Sequence, residues 1–521
     1  MNDMHPSRQS RDARVNARGF SPSNGWFFAV GAAIVLGYAL MLGGVAGENR
    51  FTTVCALANL TLIGGLLRAA LKRNAVYGTL AVAYLLPVAV QVSLSTLYFC
   101  VFDPEFFIYI NQETVSLLHD NWRFQLATMS YVVPLGAAWL MLSPRTRSGQ
   151  TADYATWLQA VNRVCMPAFG AFTVIVLLLF TFKLFNIDEE NIVGYVSYGL
   201  FRYCLGLPML CGAAWKSRSW GESLTIVGVL LLNAGFNIIT NNRSFGFFPI
   251  VFFGFGLLFF SEIGSRKKLQ SLAVIAGLFM AVMVLGDAGR QMNLEIWRGG
   301  IESLANRVEK LTEKSDAFTK TQSQWALMVW GRLFTLGGFQ TTTFMPETVP
   351  YKPFSLPQYA LEVVTQGFLP RGLANQLVVP VYEEKSSLLA FGYRLVHKRH
   401  SVERYCIGAA WEMGGYVAEF FIGALTGLVL AMFALALVHI ATKAAELAAL
   451  MLVIGIDRAV GATTEGVPSL VHDLVYTLPV GVCIYVILRF MGQVPLFRRG
   501  RQPVAAPGRP APGPSVIASP W

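Results

Sequence analysis

Runs of about twenty apolar residues recur from one end of this chain to the other, and nothing else in it limits the fold as severely. A stretch of that length matches the roughly 30 Å hydrocarbon core of a bilayer when it is helical. Helix is also the form that satisfies every backbone polar group within the segment. Such runs lie at Trp26–Ala46, Phe51–Ala70, Tyr77–Val101, Phe124–Leu142, Cys165–Phe185 and Val193–Trp215. They continue at Leu224–Thr240, Phe245–Phe260, Leu272–Leu285, Gly415–His439, Ala445–Val460 and Leu470–Met491. The expected fold is therefore an all-α polytopic integral membrane protein of about 12 transmembrane helices. Charged residues make up 14% of the chain, against about 25% in soluble domains. That shortfall excludes an ordinary soluble enzyme and a disordered chain.

The basic residues alternate with the runs. Arg8, Arg11, Arg14 and Arg18 precede the first; Lys72 and Arg73, Arg145 and Arg147, and Lys216 and Arg218 occupy every second connection after it. Arg266, Lys267 and Lys268, then Lys443, then Arg498, Arg499 and Arg501 complete the series. The short connections of opposite parity are nearly free of Lys and Arg. By the positive-inside rule both termini are cytoplasmic. The net charge of +11 then reflects topology, and no nucleic-acid partner is expected. Gly44-Val45-Ala46 would pass as a signal-peptide cleavage site, but the run before it is long for a secretory h-region. The chain divides into a basic N-terminus (1–25), nine spans (26–285), a large extracytoplasmic loop (286–414), three spans (415–491) and a Pro/Arg-rich cytoplasmic tail (492–521). Seven cysteines without a CxxC pair give no sign of a disulfide framework or zinc site.

The loop between Gly286 and Gly414 is far longer than a simple connection, which marks it as functional or as a small domain. Within it Ile301, Leu304, Val308 and Leu311 recur at helical spacing with charges between them, an amphipathic helix suited to a membrane surface. The apolar stretch Trp325–Leu336, with Arg332 inside it, is too short to span and reads as re-entrant or interfacial. Asn375–Val381 is a short β-prone run.

Several polar residues stand where lipid makes them costly. Arg202 lies inside the sixth run, where an arginine is either functional or paired, with Asp457 as a candidate partner. Asn233 and Asn237 share one face of the seventh run and lead to Asn241, Asn242 and Arg243 in a tight turn at the outer side. Arg290 follows Gly286-Asp287-Ala288-Gly289 at the same side, and Arg371 follows the turn-forming Phe368-Leu369-Pro370. Each of these arginines is either an anion ligand or a lipid-headgroup contact. As a set they suit a diphosphate, because guanidinium forks grip phosphate oxygens and stay charged. Glu412 and Glu419, seven apart on one helix face, are candidate general bases or simply helix-start acids. Asp188-Glu189-Glu190 reads as a solvated run, and His397 and His400 as surface residues rather than metal ligands. Nucleotide-binding, metalloprotease and serine-hydrolase motifs are missing. No metal and no cofactor are expected.

With these residues in place, the chain resembles the Wzy-type polymerases of O-antigen and exopolysaccharide repeat units. The resemblance rests on the span count and late outer loop, on Thr240-Asn241-Asn242-Arg243-Ser244, on Phe368-Leu369-Pro370-Arg371, and on Trp411-Glu412-Met413-Gly414-Gly415 followed by Glu419, Gly423 and Gly427. It covers about Asn233 to Gly427; the first half matches in topology only. Arg404 and Gly415 fit one arginine–glycine spacing of the family, but glycine is too abundant here for that to weigh. The lysine that often follows the Pro–Arg turn is absent at the near positions, and Lys385 stands further on.

The resemblance implies a C-type glycosyltransferase-like fold and an enzyme of the bacterial inner membrane. Its reaction joins undecaprenyl-pyrophosphate-linked oligosaccharides into longer glycans at the outer face. Arg243, Arg290 and Glu412 would be catalytic. Arg243, Arg290, Arg371, Arg202 and Arg332 would form the donor diphosphate site. The partners implied are the lipid-linked substrates, the bilayer, a chain-length regulator and a flippase. Two other readings share the topology. One is an O-antigen ligase, although His400 lies too far before Glu419 for that family's spacing. The other is a transporter or flippase of lipid-linked oligosaccharides, with Arg202, Asn233 and Asn237 along its path.

Overall fold

The computed structural model describes residues 25–45, 47–73, 77–97, 121–142, 160, 199–200, 202–203, 205–215, 220–239, 243–261, 263–264, 266–271, 273–275, 277–278, 356–377 and 406–491. Among them every regular element is a helix. In chain order these are α1 (Gly25–Leu42), α2 (Glu48–Arg73), α3 (Thr79–Val88), α4 (Asn121–Leu142), α5 (Pro208–Ala213) and α6 (Trp220–Ile239). There follow α7 (Arg243–Phe259), α8 (Leu356–Phe368), α9 (Arg371–Leu377), α10 (Cys406–Lys443) and α11 (Ala445–Met491). Helix α3 contains Pro87 and runs on through a π-helical stretch, Ala89–Leu94. A proline inside a helix removes one ladder donor and crowds the preceding turn, and a wider turn relieves that crowding.

Five helical segments are long and apolar enough to cross a membrane: Arg50–Lys72, Thr79–Leu97, Trp122–Leu142, Met413–Lys443 and Gly466–Phe490. The molecule is thus a helical protein of membrane type. All five coincide with apolar runs expected from the sequence. Helices α1, α6 and α7 fall on three further runs, and α5 on the end of the sixth. The run Cys165–Phe185, the helix expected over 301–311, the stretch Trp325–Leu336, His397, His400, the acidic run 188–190 and both terminal segments lie outside the described residues. The β-prone run at 375–381 begins as helix instead, since Asn375–Leu377 closes α9.

Two of the longest helices fold back on themselves. Arg458 and Asp473 are fifteen residues apart in α11 yet form an ion pair. A straight helix would separate them by about 22 Å. The chain reverses at Gly466, whose φ of 78° is a conformation that glycine adopts without strain. Helix α10 does the same. Cys406 and Thr426 both reach the hydroxyl of Tyr131, at 3.5 and 2.8 Å, although a straight helix would hold them about 30 Å apart. The turn here is Gly414–Gly415, with Gly415 at φ 60°. The limb 406–413 therefore lies back along the limb 416–443.

Helix α8 belongs to the long connection but packs on the bundle. It lies beside the second limb of α11, from Tyr359 near Val467 to Phe368 near Tyr476. His472 Nδ1 donates to the Gln366 carbonyl at 2.7 Å, which fixes the tautomer of the ring, and Tyr476 Oη donates to the Phe368 carbonyl at 3.2 Å. Tyr359, Glu362, Val363 and Gly367 face inward, whereas Leu361, Val364 and Phe368 are exposed. This is an amphipathic helix with apolar residues on its outer side as well, as expected where the surrounding medium is lipid.

Glycines and buried amides join the remaining helices. A methyl at Gly423 or Gly427 of α10 would collide with the carbonyl oxygens of Tyr131 or Leu135 in α4. The two glycines, four apart, let these backbones touch, the small-residue packing that membranes favour. Gly212 of α5 and Gly256 of α7 interlock in the same way. Asn59 of α2 donates to the carbonyl oxygen and the Oε1 of Gln125, at 2.9 and 2.8 Å, and Gln125 Nε2 donates to Thr96 Oγ1 at 2.9 Å. That buried network ties α2 and α4 to the chain just beyond the π-helical stretch.

Candidate functional site

The reversal of α11 brings charge together inside the bundle. Asp457 and Arg458 lie in the first limb and Asp473 in the second. Arg458 donates to Asp457 Oδ2 through Nε at 2.9 Å and through Nη2 at 2.6 Å, and its Nη1 holds Asp473. All three are buried. A guanidinium can serve two carboxylates at once because its donors form a planar fork. Arg202, whose side chain is 15% exposed, adds a fourth member, with Nη1 3.8 Å from Asp457 Oδ1. Two positive and two negative groups leave the cluster neutral, which is what makes it tolerable in an apolar bundle.

A second polar cluster fills the space between α3, α4 and the two limbs of α10. Its hydrogen-bond direction follows from counting protons, since each hydroxyl or thiol has one to give. Thr426 Oγ1 donates to the Ile422 carbonyl at 2.8 Å. Tyr131 Oη therefore donates to Thr426 at 2.8 Å, and Tyr84 donates to Tyr131. The Cys406 thiol then donates to Tyr84 at 3.0 Å. Burial pushes the Cys406 thiol up to about 11, against a partial offset from the two tyrosine hydroxyls. Burial, with Glu362 beside it, also raises Tyr359 above the ordinary phenol range. These groups are neutral at physiological pH, so the cluster is held by hydrogen bonds rather than by charge.

Glu419 lies four residues past Gly415, is fully buried, and has no hydrogen-bond partner for either carboxyl oxygen among the described residues. Among the described residues no group of three His, Cys, Asp or Glu side chains is arranged to hold a metal.

The residues singled out in the sequence distribute as follows. Arg202 and Asp457 meet. Arg243 opens α7, and Arg371 opens α9 directly after the turn that Tyr476 anchors. Glu412 lies on the limb 406–413, two residues before the turn. Asn233 and Asn237 lie in α6. Arg290 and Arg332 are outside the described residues. Sequence reasoning missed Arg458, His472 and Asp473, and it gave no role to Cys406, which the structure buries. The signal for Arg458 was available: an Asp–Arg pair embedded in an apolar run, of which only the aspartate was singled out.

No family model matches this chain, and neither a curated protein nor a solved structure matches it.

Proposed function

We propose that this protein is a membrane glycosyltransferase that polymerises lipid-linked oligosaccharide repeat units. In this reading about 12 helices form a C-type glycosyltransferase-like bundle in a bacterial inner membrane, with both termini cytoplasmic. The observation that carries the reading is the seating of α8. A helix of the long late connection docks on a membrane-type limb through His472 and Tyr476, and Arg371 opens α9 three residues after the anchored Phe368. An arginine carried at such a point in the chain suits a lipid diphosphate.

The chemistry follows. The acceptor hydroxyl oxygen forms a bond to the anomeric carbon of the donor sugar, and the bond from that carbon to the diphosphate oxygen breaks. The hydroxyl proton passes to a base, for which Glu412 is the candidate. The departing diphosphate gains charge, and Arg243, Arg290 and Arg371 offset it, together with Arg332 from the same long connection as Arg290. Arg202, engaged with Asp457, acts as a positioning residue. No metal enters the scheme.

The test is a strain lacking the protein, complemented with wild type or with Arg243→Ala, Arg290→Ala or Arg371→Ala at matched membrane levels. The reading expects long polysaccharide with wild type and single repeat units with each variant. Normal chain length in all variants would remove these arginines from the site, and long chains in the uncomplemented strain would end the polymerase reading.

A second reading has its own support. Two long helices broken at glycine turns beside buried charges are a feature of transporters. A flippase for lipid-linked oligosaccharides would move labelled units across reconstituted vesicles without forming any glycosidic bond, and that assay separates the two.

A further inference from the structure

The buried ions of this bundle fall into two kinds. Asp457 and Asp473 are balanced by Arg458 and Arg202. Glu419 is just as buried, yet no hydrogen bond reaches either of its carboxyl oxygens among the described residues. The titratable groups facing it can be named element by element. Cys406 approaches from the limb 406–413, with Tyr84 of α3, Tyr131 of α4 and Tyr359 of α8 behind it. Tyr416 lies on its own limb, with Arg123 of α4, Cys55 of α2 and Tyr38 of α1 around that ring. Arg123 is the one cation in this set, and it acts on Tyr416. None of these neutral thiol and phenol groups hydrogen-bonds the carboxyl among the described residues, so a charged carboxylate there would be desolvated without compensation. A neutral carboxylic acid avoids that cost.

We propose that Glu419 is a proton-binding site, its carboxyl holding a proton between the two limbs of α10. The geometry gives that proton a consequence. The limb 406–413 is joined to 416–443 only through Gly414–Gly415, and at its far end it is held by the Cys406 thiol on Tyr84. Loss of the proton places a charge in the seam between the limbs. The charge draws in water, and the short limb, which carries Glu412, lifts from its seat. The site stands on these contacts alone and does not depend on the polymerase reading.

The test uses the full-length protein in detergent micelles across about pH 5 to 9. Dicyclohexylcarbodiimide, an apolar reagent that attaches to protonated carboxyls, is followed by mass spectrometry of the Glu419 peptide. Amide hydrogen exchange of 406–413, corrected for its intrinsic pH dependence, is measured on wild type and Glu419→Gln. The expected result is an adduct on Glu419 that declines as pH rises, with exchange of the short limb increasing over the same range. The glutamine variant, a neutral isostere, should fold with the wild-type melting temperature, and its short limb should stay protected throughout. Absence of an adduct at every pH overturns the proposal. So does a glutamine variant that fails to fold, since that would mean the charged carboxylate is required. Identical exchange profiles for the two proteins would overturn it as well.

Discussion

Arg458 illustrates how a single side chain can hold together the two limbs of a reversed helix. Truncating it to methionine keeps the volume but leaves Asp457 and Asp473 buried without their shared partner. Breaking a buried pair in this way costs about 3–5 kcal/mol. The expected outcome is a large fall in melting temperature in detergent, and replacing both aspartates with asparagine in the same background should recover part of it. Cys406 gives a prediction of opposite character. Its thiol is raised from near 9 to about 11, so at neutral pH the folded protein should react with iodoacetamide about a hundredfold more slowly at this sulfur than the unfolded chain does. The sign for stability follows. The neutral thiol favours the folded state fully below the unfolded value near 9, and that contribution is lost as pH rises through about 11. A pH series of melting temperatures for wild type and Cys406→Ser checks it; only wild type should show this alkaline component.

Among the elements, the contact between α4 and α10 is the most exacting. Gly423 and Gly427 place one backbone directly on the carbonyls of the other. Gly427→Val must push the helices apart and strip the Tyr131–Thr426 hydrogen bond with them. A loss of about 2–4 kcal/mol is expected, as for other overpacked or broken core contacts, and folded yield on size-exclusion chromatography would report it. These glycines were visible in the sequence as part of a Glu-then-Gly run, but their packing role was not, since the partner surface lies some three hundred residues earlier in the chain. The helices themselves were legible because lipid imposes a length and a polarity that apolar runs reveal directly. The reversal at Gly466 was legible too, since Thr463, Thr464, Glu465 and Pro468 interrupt the apolar pattern and divide α11 into two expected spans. The limb 406–413 was not. Eight residues with a tryptophan and a glutamate are too few to register as a period, and only the contacts of Cys406 show that they turn back. Helix α8 was overlooked for a related reason: Pro357, Thr365 and Gly367 blur a pattern that becomes amphipathic once Tyr359 and Val363 are seen to share the buried side.

At the scale of the molecule, the sequence reading and the structure agree on a helical membrane protein, and the candidate site was only partly foreseen. Asp457 stood only as a candidate partner for Arg202 in the sequence, and the structure brings the two together at 3.8 Å. The tyrosine–cysteine cluster could not have been foreseen, because Tyr84, Tyr131 and Cys406 are each unremarkable until three helices and a reversed limb bring them together. Orientation rests on the alternation of basic connections. Alkaline phosphatase fused after residue 286 should be active, and the same reporter at either terminus inactive; the reverse pattern would turn the assignment over.

The reversal at Gly466 also bears on how the chain is made. The limb 445–465 emerges from the ribosome before its partner and carries Glu446, Asp457 and Arg458. Each charge near the middle of a lone helix costs the insertion machinery about 2.5–3.5 kcal/mol. Asp473, on the limb that follows, supplies the second carboxylate to the guanidinium. A nascent chain that stops at Gly466 thus carries a segment poorly able to remain in the bilayer, and one that continues to Met491 delivers both limbs as a single hairpin. The second limb of α11 thus completes the charge balance of the first, and a truncation that removes the last 25 residues of α11 strips Arg458 of one of its two buried carboxylates.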